Sequence, residues 1–464
     1  MADIPEPRTR LEQYWAGILE KIEGGGGSSV TVEPLSVTEN GVYPAPAGKA
    51  YSPVTVDVQD LEIGEPADVT LIDYDGTVLH TYTAAEFLAL TALPANPDRT
   101  ADGLTALGWN WTLADAKTYV TAHGMLVVGQ MYEPTDGKVH LFIRVVDHTK
   151  PVVIRWYQRT ANLVSVDFGD GTEAVTVSDA GNVSYSKVYD ADGDYEIKMD
   201  AGEVFVDIGG AGQPALVRNG DAAILTKAYL GSKGTGALSA SAFTNLSDLR
   251  AVVITPAITS LGAGCFNSTG ITGLVVPNSV SSITTSTAAY SPRLRYVSLP
   301  ASVTSIGGSG PFEACGSLRI LTVPDGTTTI SGGFLSRCAG LQRVSLPSTL
   351  TAVPGAFSMC GALLRIDIPE GVTSVANYAC QSAVSMLEIT LPSTVTSIGT
   401  GAFSTLRNCK TITIKATTPP TLANSNAFSE MPSDCKIIVP KGTLEDYQTA
   451  TNWSAHAARM EEAA

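Results

Sequence analysis

The chain has 464 residues, including 44 Gly and 26 Pro, with 44% hydrophobic and 16% charged side chains. That length exceeds one ordinary domain, and the frequent turn-formers predict short strands and few long helices. The formal charge of −16 disfavours a nucleic-acid or anionic-membrane surface. No apolar run approaches membrane-spanning length, and the first residues lack the apolar core of a signal peptide. The expectation is a protein made in the cytoplasm, without membrane insertion or a standard signal-peptide route.

Residues 1–23 read as an attachment helix, with Leu11, Trp15, Ile18, Leu19 and Ile22 recurring at three- and four-residue steps. A Gly/Ser linker at 24–29 ends it. So short an amphipathic helix is marginal alone in water, so those five residues are candidates for oligomerisation or docking. A homotrimer would serve, although such a stripe does not fix the number of strands. Residues 30–61 alternate like a small β unit. Residues 62–148 read as an α+β module: a hairpin at 69–82 turning on Asp75-Gly76, helices at 83–90 and 112–123, and strands near 126–131 and 139–146.

Residues 149–208 read as a β-sandwich, in which Val164-Ser-Val-Asp-Phe-Gly-Asp-Gly-Thr172 precedes Val188-Tyr-Asp-Ala-Asp-Gly-Asp-Tyr195. These motifs resemble a polycystic-kidney-disease-type domain, which implies a spacer or contact module. Residues 209–248 are read as a connection and cap leading into a repeat over 249–440, closed by a capping helix at 441–464.

The repeat is Leu, two variable positions, then hydrophobic–x–hydrophobic–Pro, as in Leu294-RYVSL-Pro300, Leu318-RILTV-Pro324 and Leu341-QRVSL-Pro347. Leu364-RIDI-Pro369 is read as a further copy. Prolines at 256, 277, 300, 324, 347, 369 and 392 set steps of 21 to 24 residues. A fixed period in the twenties marks a solenoid whose units bury their apolar faces on one another. Aromatics at 266, 312, 334, 357, 378 and 403 and seven cysteines after residue 260 are expected inside it, the cysteines as small apolar thiols. The unit resembles the BspA-like leucine-rich repeat. Ala416-Thr-Thr-Pro-Pro, Ile438-Val-Pro-Lys-Gly and Tyr447 through Trp453-Ser454 are similar to that family's terminal rung and cap. The fold class expected is therefore multidomain and mainly β: a short helix, small β and α+β modules, a sandwich, and a C-terminal leucine-rich-repeat solenoid.

Val69-Thr-Leu-Ile-Asp73-Tyr-Asp75-Gly-Thr77 resembles the first motif of haloacid-dehalogenase-type phosphatases. That chemistry also needs a downstream Lys, a phosphate-binding hydroxyl and a paired-Asp magnesium site, and a hairpin turn explains the residues more simply. Asp190, Asp192 and Asp194 have the spacing of a calcium loop but lack its Gly and closing carboxylate, and read as a solvated turn. The histidines form no ligand cluster. No catalytic residue, metal or cofactor is expected. The residue after the repeat leucine is Arg at 250, 295, 319 and 365, which predicts a ladder at ~5 Å spacing able to meet phosphate or carboxylate. Its alternative is a merely solvated row.

Residues 2–19, 37–56 and 69–145 (with Gly108-Trp-Asn-Trp-Thr-Leu-Ala-Asp-Ala-Lys117) are similar to (pro)phage tail or baseplate proteins of Gram-positive gut bacteria. The resemblance implies a virion tail part, a tail fibre or receptor-binding protein. Its partners would be other tail or baseplate proteins and a host cell-surface polymer or protein. A bacterial surface adhesin is the alternative.

Overall fold

The computed structural model describes strand segments within 29–57, then residues 67–158, 164–178, 180–200, 206–208, 216–217, 222–232 and 236–463. The proposed helix at 1–23 and the linker lie outside them. Two compact units emerge, Met1–Glu65 and Pro66–Ala464. In the first, β1 (Ser29–Val32) pairs antiparallel with β4 (Val54–Asp57), and β2 (Ser36–Thr38) with β3 (Gly41–Tyr43).

The second unit opens with a four-stranded sheet in the order β6 (Val78–Tyr82), β5 (Val69–Ile72), β8 (Leu126–Pro134), β7 (Leu104–Trp109). Its two helices have sequence-encoded ends. Thr83 and Glu86 form a reciprocal capping box at α1 (Ala84–Ala89). Thr112 caps α2 (Leu113–His123), and left-handed Gly124 closes it. The alternation along the strands is two-sided. Val69, Leu71, Leu126 and Val128 pack with Phe87, Tyr119 and Val120 of the helices. Ile72, Val127 and Met131 pack with Val275, Tyr296 and Ile320 of the solenoid. A sheet covered on both faces reads as a nearly continuous apolar run, as Leu126-Val-Val does.

The expected fourth strand of this module, β9 (Val139–Val145), belongs instead to a larger sheet. That sheet runs β12 (Val175–Val177), β11 (Val164–Asp167), β14 (Gly193–Asp200), β9, β17 (Ala223–Leu230), and then Ala251–Ile254 of the first repeat. A second sheet, built on β10 (Val152–Gln158) and β13 (Gly181–Lys187), shares one core with it through Ile154, Trp156, Phe168 and Ile197. The sandwich is thus wider than 149–208 and hydrogen-bonded directly to the solenoid. The FGDGT turn is structural: Asp170 accepts from the Thr172 amide and pairs with Lys187 at 2.6 Å, while Tyr189 donates to the Phe168 carbonyl.

The solenoid stacks parallel strands, Gly273 on Tyr296, Ile320 on Arg343 and Glu388 on Thr411. Anchors Leu249, Ile271, Leu294, Leu318, Leu341, Leu363, Met386 and Cys409 are fully buried. The sixth anchor is Leu363 and not Leu364, which moves that rung's register by one residue. Seven cysteines are buried and free. Burial raises the Cys315 and Cys360 thiols to about 12. Tyr378, expected inside, is 47% exposed with φ +57°, and Ala379 and Cys380 are buried beside it. At the end Tyr447 and Trp453 donate to the Ala416 and Pro420 carbonyls, and Met460–Glu462 adds a last parallel strand. No described helix is long and apolar enough to cross a membrane.

Candidate functional site

Each rung presents two positions on the outer face of its strand, the second and fourth residues after the anchor. In the early rungs these are Gly273 and Val275, Tyr296 and Ser298, Ile320 and Thr322, all buried. They are buried because the module at 67–134 lies on them. From the rung of Leu363 onward the same positions hold Arg365 and Asp367, then Glu388 and Thr390, all exposed. The outer face of the solenoid therefore has a covered half, on the sheet that ends at Arg343–Ser345, and an open half, on the sheet that begins at Glu388–Leu391.

The covered half is held at close range. The Asp75-Gly76 turn, with Gly76 at φ +84°, seats on the first rungs, where a Cβ on Gly273 would lie 2.3 Å from the Gly76 nitrogen. The Thr272 hydroxyl donates to the Asp75 carbonyl. Gly129 gives the same clearance to Val275, whose methyl a Cβ would meet at 2.5 Å. The phosphatase-like motif is spent on this turn. Asp73 is fully buried, accepts from the Tyr74 amide and takes the Arg99 Nε at 2.9 Å, while Asp75 accepts from the Thr77 amide.

Polar anchoring follows from the repeat prolines. In a parallel ladder the carbonyl five residues after one anchor accepts the N–H six residues after the next. At that place stand Pro300, Pro324 and Pro347, which have no N–H. The carbonyls so deprived are those of Val276, Leu299 and Val323, and a buried carbonyl needs a donor. The module supplies one for each: Asn110 Nδ2 to Val276 at 3.1 Å, Trp111 Nε1 to Leu299 at 2.9 Å, and the Tyr119 hydroxyl to Val323 at 2.7 Å. Asn110 also accepts from the Gly129 amide and the Ser298 hydroxyl. Where the repeat lacks proline the ladder closes itself, with Lys415 N to Leu391 O at 3.0 Å and Ala463 N to Val439 O at 2.8 Å.

At the border between the halves is a cleft of about 300 Å³, lined among others by His123, Met125, Leu346, Arg365, Asp367 and Ile368. Arg343 crosses to Asp68 at 3.0 Å. Burial raises the Asp68 carboxyl, but the Ala84 amide and Arg343 outweigh it and hold it below its ordinary value. His123 Nε2 lies 2.9 Å from Asp325.

The predicted arginine ladder is only partly assembled. Main-chain bonds link Arg250 to Thr272, Thr272 to Arg295, Arg319 to Gln342, Gln342 to Leu364, and Leu364 to Leu387. Arg250, Arg295 and Arg319 thus share one row, which turns apolar at Leu364. Arg365 stands one residue further along, on the outer face beside the position of Arg343. Arg250 is turned to the Ser247 carbonyl at 3.0 Å and to Asp248. The contact residues Asn110, Trp111 and Tyr119 carried no sequence sign of their role beyond the resemblance that quoted two of them. Among the described residues no cluster of three or more metal-ligating side chains occurs; Asp192 and Asp194 are engaged by His148 and Arg144.

Residues 225–342, 284–412 and 374–450 match the BspA-type leucine-rich-repeat region. No curated protein matches the chain. Solved structures similar to it include a leucine-rich repeat protein from Bacteroides ovatus, at 18% identity and TM-score 0.37, covering 53% of this chain and 73% of that one. Another, from Eubacterium ventriosum, has 16% identity and TM-score 0.29 over 42% and 74%. A leucine-rich cell surface protein from Faecalibacterium prausnitzii has 16% identity and TM-score 0.22 over 50% and 93%. With the period, the buried anchors and the parallel ladders in place, the repeats form a leucine-rich-repeat solenoid that is similar to the BspA-type region over residues 225–450.

Proposed function

We infer that this is a non-enzymatic recognition protein whose partner meets the outer solenoid face from Leu363 onward. The observation that carries the reading is the change from covered to open along one face of the solenoid, with Arg365, Asp367, Glu388 and Thr390 exposed. The non-enzymatic part is supported by Asp73 and Asp75, which are engaged in a turn against the first rungs. In the finer form of the proposal the protein is a (pro)phage tail component, attached through residues 1–23 and meeting a host surface polymer or protein with the solenoid. The likeness of residues 2–19, 37–56 and 69–145 to tail and baseplate proteins supports that form. The repeat family favours a rival, a cell-borne adhesin using the same face.

Two measurements test this. Labelled full-length protein should bind intact bacteria of the host, and Glu388→Lys with Thr390→Arg should lower that binding without changing the melting temperature. Unchanged binding would remove the open face from the proposal. Immunogold labelling of an induced culture should mark tail ends. Gold confined to cell walls, with bare particles, would decide for the adhesin.

A further inference from the structure

We propose that the cleft between α2 and the Leu341 and Leu363 rungs is a binding site for a neutral saccharide, read by the proline-orphaned carbonyls of Leu346 and Ile368. The inference rests on the recognition reading above and names its ligand class.

The carbonyl row does not stop where the module ends. Pro369 and Pro392 stand at the same ladder position as Pro300, Pro324 and Pro347. The carbonyls they leave without a ladder donor are Leu346 and Ile368. Among the described residues neither receives a hydrogen bond, and both residues line the cleft. Three preceding members of the row are each met by a side-chain donor, an amide, an indole and a phenol. What sets Leu346 and Ile368 apart is the cleft, which presents their two carbonyls together as acceptors to a ligand that donates.

Spacing selects the donor. Successive members of the row come from successive rungs, ~4.8 Å apart. Backbone N–H groups along one edge of an extended peptide recur every second residue, ~6.8 Å apart, and fall out of step with the row. Hydroxyls around a sugar ring point in several directions and are not bound to one period, so two of them can meet two neighbouring carbonyls. The cleft, about 300 Å³, lies at the small end of ligand pockets and suits one or two sugar rings better than a folded element.

Charge selects the neutral class. Arg343 is already paired with Asp68, and Arg365 and Asp367 offset one another. The whole chain carries −16, which opposes an acidic ligand at long range. Asp367 accepts hydroxyls and Arg365 donates to ring or hydroxyl oxygens, completing a mixed lining of the kind sugars require.

The test uses the full chain and saturation-transfer NMR with glucose, galactose, mannose and N-acetylglucosamine, with galacturonate and inorganic phosphate as acidic comparisons. At least one neutral sugar should show transfer. Pro369→Ala supplies the missing N–H to Leu346, as Lys415 does for Leu391, and should weaken binding about fivefold to tenfold while the ladder stays intact. Pro392→Ala should do the same at Ile368, and Asp367→Ala should weaken binding as well. No transfer from any neutral sugar, transfer only from galacturonate or phosphate, or affinities unmoved by Pro369→Ala and Asp367→Ala would each overturn the proposal. If host-cell binding persists in those variants while sugar binding never appears, the cleft fails and the recognition face stands.

Discussion

The rungs of Ile271, Leu294 and Leu318 and those of Leu363 and Met386 are built on one repeat and contrast at their two outward positions. The early rungs place Gly, Val, Tyr, Ser, Ile and Thr there, and the later ones Arg, Asp, Glu and Thr. The first set accepts a second sheet face against it; the second keeps water. What the repeat holds constant makes the solenoid. What it leaves free records which stretch is an internal interface and which is a surface.

That contrast breaks most sharply at Gly273. A side chain there meets backbone of the Gly76 turn on the opposite surface, 2.3 Å from its nitrogen, so neither wall yields cheaply. Gly273→Val should destabilise the second unit by about 3 kcal/mol, the upper part of the usual overpacking range. Glu388→Val, at the equivalent outward position of an open rung, should stay within about 0.5 kcal/mol. Thermal unfolding of both checks this, and equal losses would mean that the module does not rest on the early rungs.

Tyr119→Phe comes next. It leaves the Val323 carbonyl without its donor in a buried setting and removes a hydroxyl partner from Ser345. A loss of about 2 kcal/mol is expected, the cost of an unmet buried polar group. Adding Pro347→Ala should recover part of it, because the restored N–H reaches the same carbonyl. Failure of that rescue in denaturant titrations would refute the account of the proline row.

How much of this was legible in the sequence depends on the range of the cause. The repeat, its cap and both helices of the module were visible, because period, capping residues and turn glycines act within a few positions. The register slip at Leu363-Leu364 arose where two leucines compete for one anchor, and packing alone decides between them. Tyr378 was misplaced because an aromatic at the right distance from the proline passes for a core residue. The docking of the module was hidden, since Trp111 and Leu299 meet across 188 positions and no periodicity spans that. Its one trace was the two-sided apolar run at Leu126–Val128 beside apolar outward positions in the early rungs. The arginine row failed as a continuous site for the same reason as the register: a shift of one residue moved Arg365 to another face.

The smallest expected effect lies at the border itself, in Asp68 and Arg343. The Asp68 carboxyl is held below its ordinary 3.8, so the folded state binds its proton less readily than the unfolded chain. Its contribution is therefore fully present above pH 3.8 by a clear margin and is lost as pH falls through the lower folded value. Between pH 7 and 5 the pair should be silent. Many other carboxylates titrate in the acid range, so the informative quantity is the difference between the parent and Arg343→Gln. That difference should be constant from pH 7 to 5 and shrink below pH 4 as Asp68 protonates in both. The side chain of Asp68 is 35% exposed, so solvent screening keeps the effect small. Parallel stability curves down to the acid transition would show that the bridge contributes nothing, leaving the apolar contacts and the carbonyl row to hold the module at its open edge.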